Sequence, residues 1–233
     1  MASLELAWKE DTDAVEVDIH LSKDNQIVVI HDYNANRTGG LNKNIKDLEL
    51  SELKKLDFGS WKGPDWSGER IALLSDVLES VPYGKQLFIE VKSEYEIIEP
   101  LSKQLTHSTV PLSNIIIMHF DFNTLLKIKD NFPETEILWL YEFLPDADSN
   151  QRRELLNNIV SKASEHKLHG VSIENIPEFD IEFINICRAK KLKTYCWVVN
   201  DPARAQYLSD SGIDGITTDR PGWLKNRLHN LSD

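Results

Sequence analysis

Hydrophobic and polar residues alternate through the run VEVDI, residues 15–19, in which the acids Glu16 and Asp18 stand between three aliphatic side chains. Strand residues two apart face the same side of a sheet, so this pattern predicts a strand with its two carboxylates on one face. A second apolar run, 27–30, follows residues 23–25, which have the composition of a tight turn. Because the gap is too short for a helix, the two runs are expected to form a β-hairpin.

Beyond residue 70 the pattern becomes regular, and short apolar runs alternate with amphipathic stretches. The predicted strands are Leu87–Val91, Ile115–Met118, Ile137–Tyr141, Gly170–Ile173, Thr194–Val199 and Gly215–Thr217. The predicted helices are Leu74–Val81, Ile97–Thr106, Phe122–Asn131, Gln151–His166, Ile181–Lys190, Pro202–Ser211 and Pro221–His229. This alternation is typical of repeated βα units around a parallel sheet.

Together with Val15–Ile19, the pattern predicts seven strands of a parallel sheet, and eight would close a (β/α)8 TIM barrel. The chain opens on a predicted helix, Ser3–Lys9, so we expect the first barrel strand to precede Met1. No linker divides the sequence, which predicts one barrel domain over residues 1–233. A polar, glycine-rich excursion at about 27–70 interrupts it and contains one helical piece, Ser51–Leu56, with Ser51 as the expected N-cap. Loops of this length are usually functional.

Composition narrows the classes of partner. The 233 residues carry a formal net charge of −12 and no dense lysine or arginine cluster, which argues against nucleic acid and anionic membrane surfaces. No apolar run is long enough for stable membrane insertion. Cys187 and Cys196 lack metal-ligand spacing and are expected to be buried free thiols of a cytoplasmic protein. A signal peptide ahead of Met1 stays open.

Candidate chemistry clusters where the predicted strands end. Glu16 and Asp18 suit a hard divalent cation, and His31, just after the second hairpin strand, suits proton transfer beside it. Glu90 and Lys92 repeat the two-residue spacing in FIEVK. A buried acid in an apolar strand is costly unless it is paired or metal-bound, so two interpretations of Glu90 stay open: a metal ligand, or an ion pair with Lys92. For the hairpin itself, the alternative is an edge strand with a solvated face.

The roles of two further residues, His20 and Trp197, stay undecided. Most of the remaining histidines are expected to lie on the surface or to have their hydrogen bonds satisfied within the fold. His20 shares a face with Asp18 but stands next to the turn. Trp197 is either plain core or, beside Asn200, a wall that packs against a sugar, glycerol or choline group.

Six motifs in order, covering nearly the whole chain, resemble the glycerophosphodiester phosphodiesterase family. They are VEVDIHLSKDNQIVVIHD, NRTGG, LKKLDFGSWKGPDWSGERI, FIEVK, YCWVVND and GIDGITTDRP. The resemblance implies a (β/α)8 barrel that hydrolyses small-molecule glycerophosphodiesters to glycerol 3-phosphate and an alcohol with a divalent cation, commonly Ca²⁺ or Mg²⁺. It implies that Glu16, Asp18 and Glu90 are metal ligands and that His31 is one of two acid/base histidines. Lys92 and Trp197 are implied to line the substrate site.

The sequence departs from the family pattern at its start. The family opens with a His-Arg-Gly strand and a Glu-Asn-Thr motif, which carry the partner histidine, a phosphate-binding arginine and a metal-site glutamate, and neither motif is present here. Two hypotheses follow: a metal-dependent phosphodiesterase, or an N-terminally truncated, non-catalytic barrel that binds a cation and self-associates through an open edge. The oligomeric state and the alcohol accepted are left open.

Overall fold

The computed structural model describes residues 1–229, with only the backbone for His229. The strands are β1 Ala14–Leu21, β2 Ile27–Val29, β3 Ala72–Leu73, β4 Gln86–Val91, β5 Ile115–His119, β6 Glu136–Tyr141, β7 Gly170–Glu174, β8 Lys193–Trp197 and β9 Gly215–Ile216. The helices are α1 Ala2–Lys9, α2 Asn36–Gly39, α3 Leu50–Leu53, α4 Leu74–Ser80, α5 Ile98–Thr106, α6 Phe122–Asn131, α7 Ser149–Glu165, α8 Ile181–Ala189, α9 Pro202–Asp210 and α10 Pro221–His229. The predicted alternation of strands and helices is confirmed, with ends that differ by one or two residues.

The chain forms two compact units. The first comprises residues 1–117 and 130–135, and the second comprises 118–129 and the residues from 136 onward. In the first unit the strand order is β3-β2-β1-β4, and β1 pairs in parallel with β4. In the second unit β6, β7, β8 and β9 follow one another as parallel neighbours. Each unit therefore brings the carboxyl ends of its parallel strands to one edge.

The predicted hairpin is present, and β1 is longer than its alternating run. Residues 14–19 of β1 pair in parallel with β4, whereas 19–21 pair antiparallel with β2. The turn is closed by Ser22, whose carbonyl accepts from Asn25 N–H at 3.0 Å. Asn25 has φ of 58°, a left-handed conformation that asparagine tolerates better than most residues. Glu16, placed by the prediction at a strand end, thus lies in the middle of β1.

The excursion has its own small core. Six apolar side chains in and next to the excursion are buried together. They are Val28, Ala35, Ile45, Leu48, Leu53 and Ile71. The expected N-cap Ser51 is wrong: α3 begins after Glu49, whose backbone N–H donates to the carboxylate of Glu52 at 2.9 Å. The pattern also gave no indication of β3, a two-residue strand that pairs antiparallel with β2.

Cys187 and Cys196 are buried free thiols, as predicted. Burial raises the pKa of each thiol to about 12, so neither side chain is poised as a nucleophile. Among residues 1–229, no helix combines the length and apolar character needed to cross a bilayer.

Candidate active site

Three carboxylates converge in the first unit. Asp18 of β1 lies directly opposite Glu90 of β4 in the parallel register. Glu16 lies two residues before Asp18, on the same face of β1. One oxygen atom from each of these three acids lies within 4.8 Å of the other two. Glu16 and Asp18 therefore share one face of β1, as their spacing predicts, and the carboxylate of Glu90 lies beside them.

Lys92 places its ammonium group among these acids. Its Nζ lies 3.2 Å from Asp18 Oδ1 and forms a second ion pair with Glu90. Burial lowers the pKa of Lys92, but the hydrogen bond to Glu90 and the charge of Asp18 outweigh it, so the pKa is raised and the side chain stays charged. The ion pair considered as an alternative for Glu90 is present, and it coexists with the three-carboxylate cluster.

The cluster keeps an excess of negative charge that one ammonium does not satisfy. Oε1 of Glu16 is buried and accepts no hydrogen bond from the described residues. Burial, followed by the charges of Asp18 and Glu90, raises the pKa of Glu16 well above its usual value. Burial also raises the pKa of Glu90, against the influence of Lys92. A set of hard oxygen donors with an unsatisfied buried oxygen fits a divalent cation.

His31 lies just past the end of β2, and its side chain is 67% exposed. Nδ1 of its imidazole lies 2.9 Å from Oδ1 of Asp32. The carboxylate of Asp32 also binds Arg37, whose hydrogen bond is the main reason that the pKa of Asp32 falls to about 2. An ionised carboxylate can only accept, so in this contact Nδ1 of His31 carries the proton and Nε2 is the unprotonated nitrogen of the neutral ring.

His20, which sequence left undecided, is buried beside this histidine. Its Nε2 lies 3.4 Å from the carbonyl oxygen of His31, and its ring meets the edge of Tyr33 at a centroid distance of 5.0 Å. Burial lowers the pKa of His20, although the charge of Asp18 opposes this. The environment favours a neutral imidazole that packs under the loop carrying His31.

Trp197 ends β8 in the second unit. Its indole Nε1 is buried without a hydrogen-bond partner among the described residues, and its ring makes an edge contact with Phe120 at 5.9 Å. The amide of Asn200 is engaged elsewhere, because its Nδ2 donates to Asp219 at 2.7 Å and its Oδ1 accepts from Thr218. The polar atoms of Asn200 are therefore engaged by the loop that follows β9.

Other polar residues at strand ends have structural partners. The Nδ1 atoms of His119 and His169 accept from the backbone N–H groups of Asp121 and Ile137, and Oε2 of Glu174 accepts from the N–H of Phe143. The two histidines are thus satisfied by backbone groups, as expected of most histidines outside the hairpin.

Sequence reasoning did not assign a role to Asp32 or Arg37. Arg37 stands five residues after Asp32 in a polar loop, and no strand or helix period links them. In the folded excursion they meet because Nε and Nη2 of Arg37 donate to the carboxylate of Asp32. An aspartate directly following a candidate acid/base histidine was the one available indication.

Comparison with known proteins shows which class of protein this chain resembles. Chains of similar sequence include YhdW of Bacillus subtilis, named as a candidate glycerophosphodiester phosphodiesterase, which is 32% identical over 228 residues, covering 96% of this chain and 89% of that protein. The glycerophosphodiester phosphodiesterase of Caldanaerobacter subterraneus is 29% identical, covering 97% and 90%. Both names describe enzymes that cleave phosphodiesters.

The solved structure of an Oleispira antarctica phosphodiesterase, in complex with the product sn-glycerol-3-phosphate, superposes with a TM-score of 0.81 at 28% identity. It covers 98% of this chain and 90% of that one. The fold is thus the α/β fold of the glycerophosphodiester phosphodiesterase TIM barrels. The family model described as glycerophosphoryl diester phosphodiesterase matches residues 1–223, and the chain belongs to this family. The resemblance stated from the six motifs is confirmed.

Proposed function

We propose that this chain hydrolyses glycerophosphodiesters to glycerol 3-phosphate and an alcohol in a reaction that requires a divalent cation, Ca²⁺ or Mg²⁺. The observation that carries the proposal is the convergence of Glu16, Asp18 and Glu90, with oxygen atoms within 4.8 Å of one another and a buried, unsatisfied oxygen on Glu16. Membership of the family and the product named in the Oleispira structure support the same reaction class and a small-molecule substrate.

The three acids would hold the cation, which when bound would neutralise phosphate charge and lower the pKa of an oxygen ligand. Lys92 would offer a positive charge to a phosphate oxygen. Its ammonium is fixed in place because it lies between the carboxylates of Asp18 and Glu90. Nε2 of His31 is the proton-transfer atom, oriented through its Nδ1 contact with Asp32. The nucleophile is either water or the glycerol hydroxyl next to the phosphate.

The decisive experiment follows release of glycerol 3-phosphate from glycerophosphocholine by the purified 233-residue chain. Protein treated with a chelator is assayed alone and after addition of Ca²⁺ or Mg²⁺, beside Glu90→Gln and a matched control, Glu99→Gln, whose exposed carboxylate pairs with Lys103. Turnover that requires the cation and is lost only in Glu90→Gln supports the proposal.

Two results would contradict it in different ways. Turnover that persists in the chelator would show that the cation is dispensable. Cation binding without turnover would favour the non-catalytic alternative.

A further inference from the structure

The carboxylate of Asp32 is shared between a histidine and an arginine. Oδ1 lies 2.9 Å from Nδ1 of His31 and accepts from Nη2 of Arg37 at 2.9 Å, while Oδ2 accepts from Nε of Arg37 at 2.6 Å. Two parallel hydrogen bonds from a guanidinium fix the plane of a carboxylate as well as its position. The direction from which Asp32 approaches the imidazole is therefore set by Arg37.

Arg37 is itself held on its other side by an aromatic ring. Its guanidinium carbon lies 4.9 Å from the centroid of Trp61, within the range of a cation–π contact. The ring of Trp61 is fixed in turn, because its Nε1 donates to the carbonyl of Phe58 at 2.9 Å. An isolated, solvent-exposed ion pair contributes little to stability. A bidentate pair with ideal geometry contributes more, and here the guanidinium also packs against a ring of fixed orientation.

The small core of the excursion anchors the helix that carries Arg37. Ala35, the residue before α2, is fully buried in that core. Gly39, at the end of α2, packs so closely on Phe58 that a Cβ atom there would lie 2.9 Å from the Phe58 ring. The guanidinium is thus presented from a tightly packed support and not from a free loop.

We propose that Arg37, supported by Trp61, is a positioning residue that acts through Asp32 to hold the imidazole of His31 in its Nδ1-protonated tautomer and in a single orientation. This inference rests on the proposed function, because it gives His31 the proton-transfer role, and it assigns a purpose to the 27–70 excursion. In other hydrolases that use histidine as a base, a fixed carboxylate that holds the histidine in the correct tautomer makes a large contribution to kcat. Loss of Arg37 should lower kcat at least about tenfold while leaving KM nearly unchanged.

The test uses the full chain with ¹⁵N-labelled histidine, and the His31 signals are assigned by their disappearance in His31→Gln. Arg37→Ala is compared with Arg153→Ala, which removes another arginine that binds an aspartate through two nitrogens, Asp180 at the start of α8. We expect only Arg37→Ala to mix the tautomers of His31 in the ¹⁵N spectrum and to lower kcat. Added guanidinium ion should restore kcat in Arg37→Ala and should leave the kcat of Arg153→Ala unchanged.

Arg37→Lys keeps the charge but cannot form the two parallel hydrogen bonds, so it should behave nearly as Arg37→Ala does. Full activity and a single tautomer in both Arg37 variants would overturn the proposal. If the wild-type chain shows no turnover, the proposed function fails, and the tautomer measurement still decides the role of Arg37. Circular dichroism checks that each variant is folded.

Discussion

Asp18 of β1 and Glu90 of β4 are direct partners across a parallel ladder. The strand pairing therefore brings two carboxylates together that are more than seventy residues apart in sequence. Like charges at such a position are unfavourable unless a cation lies between them. Lys92 supplies one positive charge, and Glu16 adds a third carboxylate whose buried oxygen is still unsatisfied.

Replacing Glu90 with glutamine removes one ligand charge from the cluster. Affinity for Ca²⁺ or Mg²⁺, measured by calorimetry on protein freed of metal, should fall by at least about tenfold, since even outer partners of a metal site contribute factors of 10–100. Glu99→Gln serves as the control, because the exposed carboxylate of Glu99 pairs with Lys103 on the surface of α5. Equal affinity in wild type and Glu90→Gln would remove Glu90 from the ligand set.

His31→Ala should lower turnover of glycerophosphocholine by about 100-fold or more, because a positioned acid/base group contributes that much. The fold should be unaffected, since the His31 side chain is largely exposed. His107→Ala is the matched control: that exposed histidine contacts the carbonyl of Lys103 through Nδ1. If the His31 variant keeps its turnover, another residue carries the proton.

Trp197→Phe keeps an aromatic ring and removes the indole N–H, which has no partner among the described residues. If this donor binds substrate, KM for glycerophosphocholine should rise about three- to tenfold, the value of one hydrogen bond, with a smaller change in kcat. Trp223→Phe, an exposed position on α10, is the control. An unchanged KM would favour the interpretation of Trp197 as core.

Asp57 organises the loop 57–68 by accepting from the backbone N–H groups of Gly59, Ser60 and Gly68 at 2.8, 3.0 and 2.8 Å. These bonds hold the pKa of Asp57 well below its usual value. A depressed pKa in the folded state stabilises the protein above the unfolded pKa of about 3.9, and this contribution disappears as pH falls.

We therefore expect Asp57→Asn to melt at a lower temperature than wild type between pH 5 and 8. The difference should begin to shrink below about pH 4 and should disappear only below the depressed pKa of folded Asp57. Asp65→Asn, on the same loop, should follow the wild-type curve. A melting difference for Asp57→Asn that stays constant down to pH 2 would contradict this account.

Leu53→Ala tests the small core of the excursion. Leu53 is fully buried there, so its truncation should cost about 2–5 kcal/mol of the free energy of unfolding. Because this core also contains Ala35 next to α2, turnover should fall together with stability. Chemical denaturation and activity measured on the same preparation provide the check, and loss of stability with full turnover would separate the core from the site.

Strand positions and the hairpin were predictable because they depend on local periodicity. The alternation in residues 15–19 determines which side chains of β1 face the core, and the structure follows it. β3 was not predictable, since two residues carry no period and its existence depends on the antiparallel pairing of 72–73 with β2. The N-cap of α3 was misplaced because serine is the commoner cap, whereas here Glu49 receives support from Glu52.

The same limit applies to the site. Glu16 and Asp18 share a face by local geometry, but their meeting with Glu90 depends on the register between β1 and β4. The family resemblance supplied that association, and spacing alone did not. The contact of Arg37 with Asp32 depends on packing within the excursion, which no pairwise pattern in the sequence records.

The ammonium of Lys92 between Asp18 and Glu90 has a consequence for how the protein is made. Because this internal counter-ion offsets part of the repulsion, the strands that carry the acids can pair while the newly synthesised chain is still free of metal. Under the proposed function, folding of the scaffold and binding of the cation would be separate events in time. Scarcity of the ion would then limit activity without limiting the amount of folded protein.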